Sequence, residues 1–349
     1  MNHRTPDRRS ALIFGGLLAV TLSLAACEEH EPADGRWSSP GVVESANSAR
    51  EPVARGRSRL IIAWRALGDA NALESVLLRD DGEGYRVVGT RPGATLLVDG
   101  RLWLIRREPV VQREVDCTCA PMAGFGEVVA PQCIVPHEQE RVLLVQSGGE
   151  RQQLMPSTRR DEALIGSRAA TFELRASVGG LILGDHCVHT MPCGAAHGAH
   201  ACRAIVWDVA AGGAVELLSP VEQANVQKTL RPAATRRFSR RDPPVEEDEE
   251  PIALARVDIS LSADGGLDAF AVFTGPTSYA DSSEWAAYKA IEAVSMPTLP
   301  DRLRNHTALP SAVRGVWNRR PQRFGWSVAE LTATQADGVA RRFSAMRGR

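Results

Sequence analysis

Residues 185–202 read DHCVHTMPCGAAHGAHAC, which places Cys187, Cys193 and Cys202 among His186, His189, His197 and His200. Three chemistries use such residues: thiolates and imidazoles ligate zinc, cysteines pair as disulfides, and free thiols act in redox or nucleophilic steps. A zinc site would draw on Cys187, His189, Cys193, His197, His200 and Cys202. The spacing disfavours it, because structural zinc sites usually open with two cysteines two to four residues apart. Cys187 and Cys193 have five residues between them, and no HExxH accompanies them. A second block holds Cys117, Cys119 and Cys133. If all six thiols oxidise, three per block cannot all pair within blocks, so at least one bridge crosses from one block to the other. Cys117 and Cys119 in DCTC share a face if they lie on a strand, which leaves one to cross while the other pairs with Cys133. A crossing bridge closing about seventy residues would constrain the unfolded chain by about 4 kcal/mol, against about 3 for a fifteen-residue loop.

Catalytic signatures are missing elsewhere. The chain has no GxSxG, SxxK, P-loop or helix-opening GxGxxG. A non-catalytic binding or structural module is therefore favoured over an enzyme. The alternative is an envelope hydrolase or zinc-binding protein built on the cluster 186–202, for which His197 or His200 would need an Asp and an exposed Ser nearby. An aromatic groove for a glycan or peptide would use Trp64, Trp103, Trp285 or Trp326.

Compartment decides between bridges and metal, and the N-terminus supplies it. Arg4, Arg8 and Arg9 precede the apolar run SALIFGGLLAVTLSLAA, which stops at Cys27. At seventeen residues the run is short for a bilayer span of about twenty, and it fits a secretion signal better. Its last residues, Leu24 to Cys27, read LAAC and resemble the lipobox of bacterial lipoproteins. The resemblance implies that residues 1–26 are a signal peptide removed in the mature protein, that Cys27 carries a diacylglycerol and that the new amino terminus is acylated. A plain anchoring helix with an incidental cysteine is the competing reading. Glu28, where lipoprotein sorting would place Asp for inner-membrane retention, points to the outer membrane of a bacterial envelope. In that oxidising setting three disulfides and no cofactor are expected, with zinc as the alternative.

Composition fits a folded module on a tether. Hydrophobic residues are 44% and charged residues 24% of the chain. Losing Arg4, Arg8, Arg9 and Asp7 with the signal takes 41 basic against 42 acidic residues to 38 against 41. So small a charge implies no nucleic-acid partner. The expected partners are the membrane, through the N-terminal lipid, and cell-wall material or another envelope protein.

Residues 27–58 are polar and rich in Pro, Gly and Ser, and read as a flexible tether. From Arg59 a series of short apolar, β-branched runs predicts strands: RLIIAW, SVLLRD, YRVVGT, TLLVDGRLWLI, VLLVQS, TFELRAS, GLILG and AIVWDV. Asp99-Gly100 predicts a two-residue hairpin turn, AAGG at 210–213 a turn into AVELLS, and Asp264-Gly265-Gly266 another hairpin. Helix is predicted mainly at SSEWAAYKAIEAVSM, with Ser282 or Ser283 as cap and Trp285, Tyr288, Ile291 and Glu292 at helical spacing. Residues 231–251, a basic block against an acidic one with prolines, predict a charged disordered loop. The expected fold class is α+β, mainly β, with antiparallel sheets, one or two short helices and disulfide staples. Residues 59–230 would form a mainly-β domain carrying the cysteine blocks, and 252–349 a continuation or second subdomain.

Residues 193–220, CGAAHGAHACRAIVWDVAAGGAVELLSP, resemble the central part of the DUF3298 family of bacterial envelope modules. The family's Gly-Gly-Ala-His is matched by Gly194, Ala195, Ala196 and His197 or by Gly198, Ala199 and His200, and its Asp-to-Gly turn by Asp208 with Gly212 or Gly213. FTGPTSYADSSEWAAYKA would stand for its later tyrosine-rich segment. The resemblance implies a non-catalytic α+β module that binds cell-wall material or a protein. The six cysteines and the 231–251 insertion depart from it.

Overall fold

Leu60 to Trp64, the centre of strand β1 (Arg57–Ala66), are all 0% exposed. A run so buried needs partners along both edges and layers over both faces. In the computed structural model it has them: β15 (Phe324–Thr332) and β2 (Leu73–Asp80) pair antiparallel on its two sides. The structure describes residues 54, 56–67, 72–82, 84–111, 137–154, 166–192, 199–240, 252–276, 289–306, 308–317 and 320–346.

Outward from β1 the large sheet continues through β2 to β3 (Tyr85–Pro92). In the other direction it runs through β15 to β8 (Gly166–Val178), β9 (Leu181–Pro192), β10 (Ala199–Asp208) and the two-residue β11 (Gly213–Ala214). Off this path, β4 (Thr95–Val98) pairs β5 (Arg101–Val111), β5 pairs β6 (His137–Gln146), and β6 pairs both β7 (Arg151–Gln153) and β8. The pairings are antiparallel except β15 with β8 and β6 with β8. A second, antiparallel sheet comprises β12 (Ala253–Leu261), β13 (Leu267–Pro276) and β14 (Lys289–Ser295). Among the described residues the helices are α1 (Pro220–Phe238), α2 (Ser311–Val316) and α3 (Ala333–Ala345), with a 3-10 segment at Asp301–His306. The class is mainly β with few helices, as the apolar pattern predicted. Among the described residues no helix is long and apolar enough to cross a membrane.

The eight apolar runs from RLIIAW to AIVWDV fall on β1–β6 and β8–β10. The Asp99-Gly100 turn forms with φ of 50° and 72°, the positive values that a two-residue hairpin of this type requires. Three apolar clusters hold the layers together. One lies between the large sheet and the small sheet with α1 and α2, and includes Ile61, Ala63, Val257, Phe273 and Val313. On the opposite face Trp64, Trp103, Phe172 and Ile182 form a second. Beside it α3 covers Leu60, Ile62 and Leu77 with Ala336, Val339 and Phe343, a spacing that lines one helix face.

The second half of the predicted helix at 282–296 is a strand instead. Ile291 and Glu292 sit on β14, opposite Thr274 and Phe273 of β13. The backbone partners offered by β13 prevail over a helical side-chain spacing; residues 282–288, including Trp285 and Tyr288, lie outside the described residues. Conversely, residues 231–238, assigned to the charged loop, are the second half of α1. Ser219 and Glu222 form a reciprocal capping box with Pro220 opening the helix, and Pro232 is carried inside it. AVELLS is therefore not a strand: after Ala214 it leads into that cap. Residues 241–251 lie outside the described residues. Nor does the chain after 252 stay apart, since β15 inserts between β1 and β8 of the large sheet.

Candidate functional site

The Cys/His-rich stretch spans β9 and β10, whose antiparallel register sets Cys187 opposite Cys202 and His189 opposite His200. The first pair is a disulfide. Its Cα atoms are 4.0 Å apart, close to the narrow, non-hydrogen-bonded pairing of antiparallel strands. As a cystine, neither sulfur is a thiolate ligand. Cys187 and His189 are two residues apart on β9 and so share a face, whereas His186, opposite Arg203, takes the other and is buried. Among the described residues no group of three His, Cys, Asp or Glu is disposed to hold a metal. Cys27, Cys117, Cys119, Cys133, Cys193 and His197 lie outside the described residues. The bridge seen lies within the block at 185–202, which leaves Cys193 as that block's odd cysteine.

Of the four tryptophans considered for an aromatic groove, Trp285 lies outside the described residues and the other three belong to the interior. Trp64, Trp103 and Trp326 are 0%, 4% and 3% exposed. Asp208, matched to the family's turn aspartate, has a local structural role: its Oδ1 accepts from the backbone N–H groups of Ala210 and Ala211, ahead of Gly212 at φ 67°.

What the sequence did not reveal is a basic cleft between the sheets, made by two β-bulges. On β8 the register steps from Leu174 opposite Gly184 to Ala176 opposite Leu183, so Arg175 has no register partner in the β8–β9 ladder. On β12 it steps from Leu254 opposite Phe273 to Arg256 opposite Val272, which leaves Ala255 unpaired. A bulge kinks its strand and re-aims the local side chains. Here Arg175 and Arg256 line one cleft of about 240 Å³ together with Arg203 of β10, Glu216, and Gln223 of α1.

Carboxylates organise these guanidinium groups. Arg175 pairs with Asp185 of β9 at 3.1 Å and with Asp258 of β12, and Asp258 also accepts from Arg256 at 3.0 Å. Burial pulls the Arg175 guanidinium below its ordinary pKa, with Asp185 opposing that shift and Arg256 adding to it. Asp185 is 6% exposed, and its Oδ1 has no hydrogen-bond partner among the described residues. The arrangement grades from a paired, desolvated Arg175 at the base to an exposed Arg203 at the rim. Asp185 and Asp258 largely neutralise Arg175 and Arg256, which leaves the exposed Arg203 as the group placed to meet an anion by charge and hydrogen bonds. The only sequence signal was the arginines themselves: strand runs show apolar alternation, but a bulge depends on the partner strand.

No family model matches the chain, and no curated protein matches it. A solved structure of a DUF3298 family protein from Pseudomonas aeruginosa PAO1 superposes with a TM-score of 0.33 at 12% identity, covering 62% of this chain and 97% of that one. This structural neighbour bears the same family name as the resemblance at residues 193–220.

Proposed function

We propose that the chain is a lipid-anchored protein of the bacterial envelope, held at the outer membrane through Cys27, whose folded part is a non-catalytic module binding anionic cell-wall material. The carrying observation is the inter-sheet cleft, where bulges on β8 and β12 bring Arg175 and Arg256 to one opening with Arg203 at its rim. Arginine suits the role because its planar fork hydrogen-bonds carboxylates and phosphates bidentately. The anchor supports the same reading: a tether of about thirty residues behind an acylated cysteine would let the module reach wall polymer from the membrane surface.

Detergent-solubilised mature protein mixed with purified peptidoglycan sacculi tests this by co-sedimentation. Binding is expected at low salt and should weaken as salt rises. Arg203→Glu with Arg256→Glu should abolish it while the circular dichroism spectrum stays unchanged. Equal sedimentation of wild type and the double variant, or none by either, overturns the proposal.

A further inference from the structure

A second cavity lies at the other end of the large sheet. It encloses about 490 Å³ and is open to solvent, with Leu73, Ala94, Ile105 and Leu174 forming apolar walls and Arg91 and Arg107 among its polar lining. Arg91 stands out. Its register partner on β2 is Ser75, which in turn lies opposite Trp64 on β1, so these three side chains stand on one face of the sheet. That face carries the Trp64 cluster and, beside it, the α3 cluster.

The guanidinium lies at this junction with little to answer its charge. Arg91 is 5% exposed, and its Nη1 and Nη2 have no hydrogen-bond partner among the described residues. Nε makes a long contact of 3.4 Å to the Pro92 carbonyl oxygen, and the group lies 5.8 Å from the centre of the Phe343 ring. Among the described residues no carboxylate pairs with it, and burial alone lowers its pKa. Arg65 nearby illustrates the usual arrangement: it is equally buried, yet Glu74 stands 3.9 Å away. An arginine with both terminal nitrogens unsatisfied is costly to bury, because the charge gives up water without gaining a counter-ion. A ligand that supplies the missing acceptors would be held in place by that deficit.

We propose that this cavity is a second binding site, distinct from the inter-sheet cleft, for a small amphipathic carboxylate. Two carboxylate oxygens would accept from Nη1 and Nη2 of Arg91 in the fork geometry that guanidinium and carboxylate share. The ligand's aliphatic body would lie against Leu73, Ala94, Ile105 and Leu174. The volume falls in the range of small-molecule pockets, and the mix of apolar wall with one fixed charge is their usual composition. A free inorganic anion would satisfy the arginine but leave the apolar walls uncovered; an alcohol of the same length would cover the walls but leave the charge unmet.

The test is a thermal-shift and calorimetric titration of the full mature protein with sodium octanoate, set against 1-octanol and inorganic phosphate. Octanoate is expected to raise the melting temperature saturably and more than either control. In Arg91→Met the octanoate affinity should fall about tenfold or more. The unliganded variant should melt no lower than wild type, since it has shed an unpaired buried charge. Arg91→Gln, which keeps polarity without charge, gives the same comparison should the Met variant fold poorly. No octanoate shift in wild type, or an equal shift in wild type and the variants, overturns the proposal. Arg203→Glu with Arg256→Glu should leave the octanoate response intact, so failure of the wall-binding proposal and failure of this one are separable.

Discussion

Trp64 on β1 donates its indole N–H to the hydroxyl of Ser177 on β8 at 2.6 Å, although the two strands are not neighbours in the sheet. Between them runs β15, and the residue in register with both is Gly325. A Cβ there would lie 2.1 Å from Ser177 Oγ and 2.3 Å from Trp64 Nε1. The glycine lets a buried hydrogen bond cross over an intervening strand. Gly325→Ala should therefore destabilise the fold by about 1–3 kcal/mol, measured by urea denaturation, because neither buried neighbour has room to move. Ser177→Ala should cost a similar amount by orphaning the indole N–H; a neutral result for both would remove the constraint.

Asp258 ties the two sheets together by meeting Arg175 from the large one and Arg256 from its own strand. Asp258→Ala should lower stability by about 1–2 kcal/mol, less than a fully buried pair would, because Asp258 is partly exposed and Asp185 still neutralises Arg175. The same variant should increase cleft basicity and so strengthen, not weaken, sedimentation with sacculi.

His306 packs against the β8–β9 turn, where a Cβ on Gly179 would lie 2.6 Å from its ring. Burial lowers its pKa from the ordinary 6.5. The unfolded chain then binds a proton at higher pH than the folded one, so this contribution is fully present above about pH 6.5 and is lost as the pH falls toward the folded value. Melting temperatures between pH 7.5 and 5 should fall in wild type and fall less in His306→Gln; identical slopes would dissociate the histidine from the effect.

Non-reducing peptide mapping should recover Cys187 linked to Cys202. The chain-entropy model gives about 3 kcal/mol for this separation of 15 residues, which the Cys187→Ser, Cys202→Ser pair should lose. If the other four cysteines after Cys27 are also oxidised, Cys193 must link to one of Cys117, Cys119 or Cys133. Six free thiols with stoichiometric zinc would instead select the metal reading.

Cys27→Ala should abolish palmitate incorporation and partitioning into detergent. Persistence of both would exclude the lipoprotein assignment.

Local chemistry set much of this architecture in advance. Alternating or continuous β-branched runs such as RLIIAW have one good way to bury themselves, and Asp99-Gly100 is one of few dipeptides that tolerates positive φ at both positions. The cap of α1 was also written locally, in Ser219 and Glu222, but Pro232 and the flanking charges obscured it. What only the tertiary structure decided were relations between distant segments. IEAV became a strand because β13 offered it an edge. Arg175 and Arg256 entered one cleft because their strands bulge against different partners. Arg91, one of many arginines in the sequence, is set apart among the described ones because both its terminal nitrogens are buried with no acceptor among the described residues. Side-chain type and spacing are properties of a short stretch of chain, whereas register, bulges and desolvation depend on which other stretch comes to lie beside it.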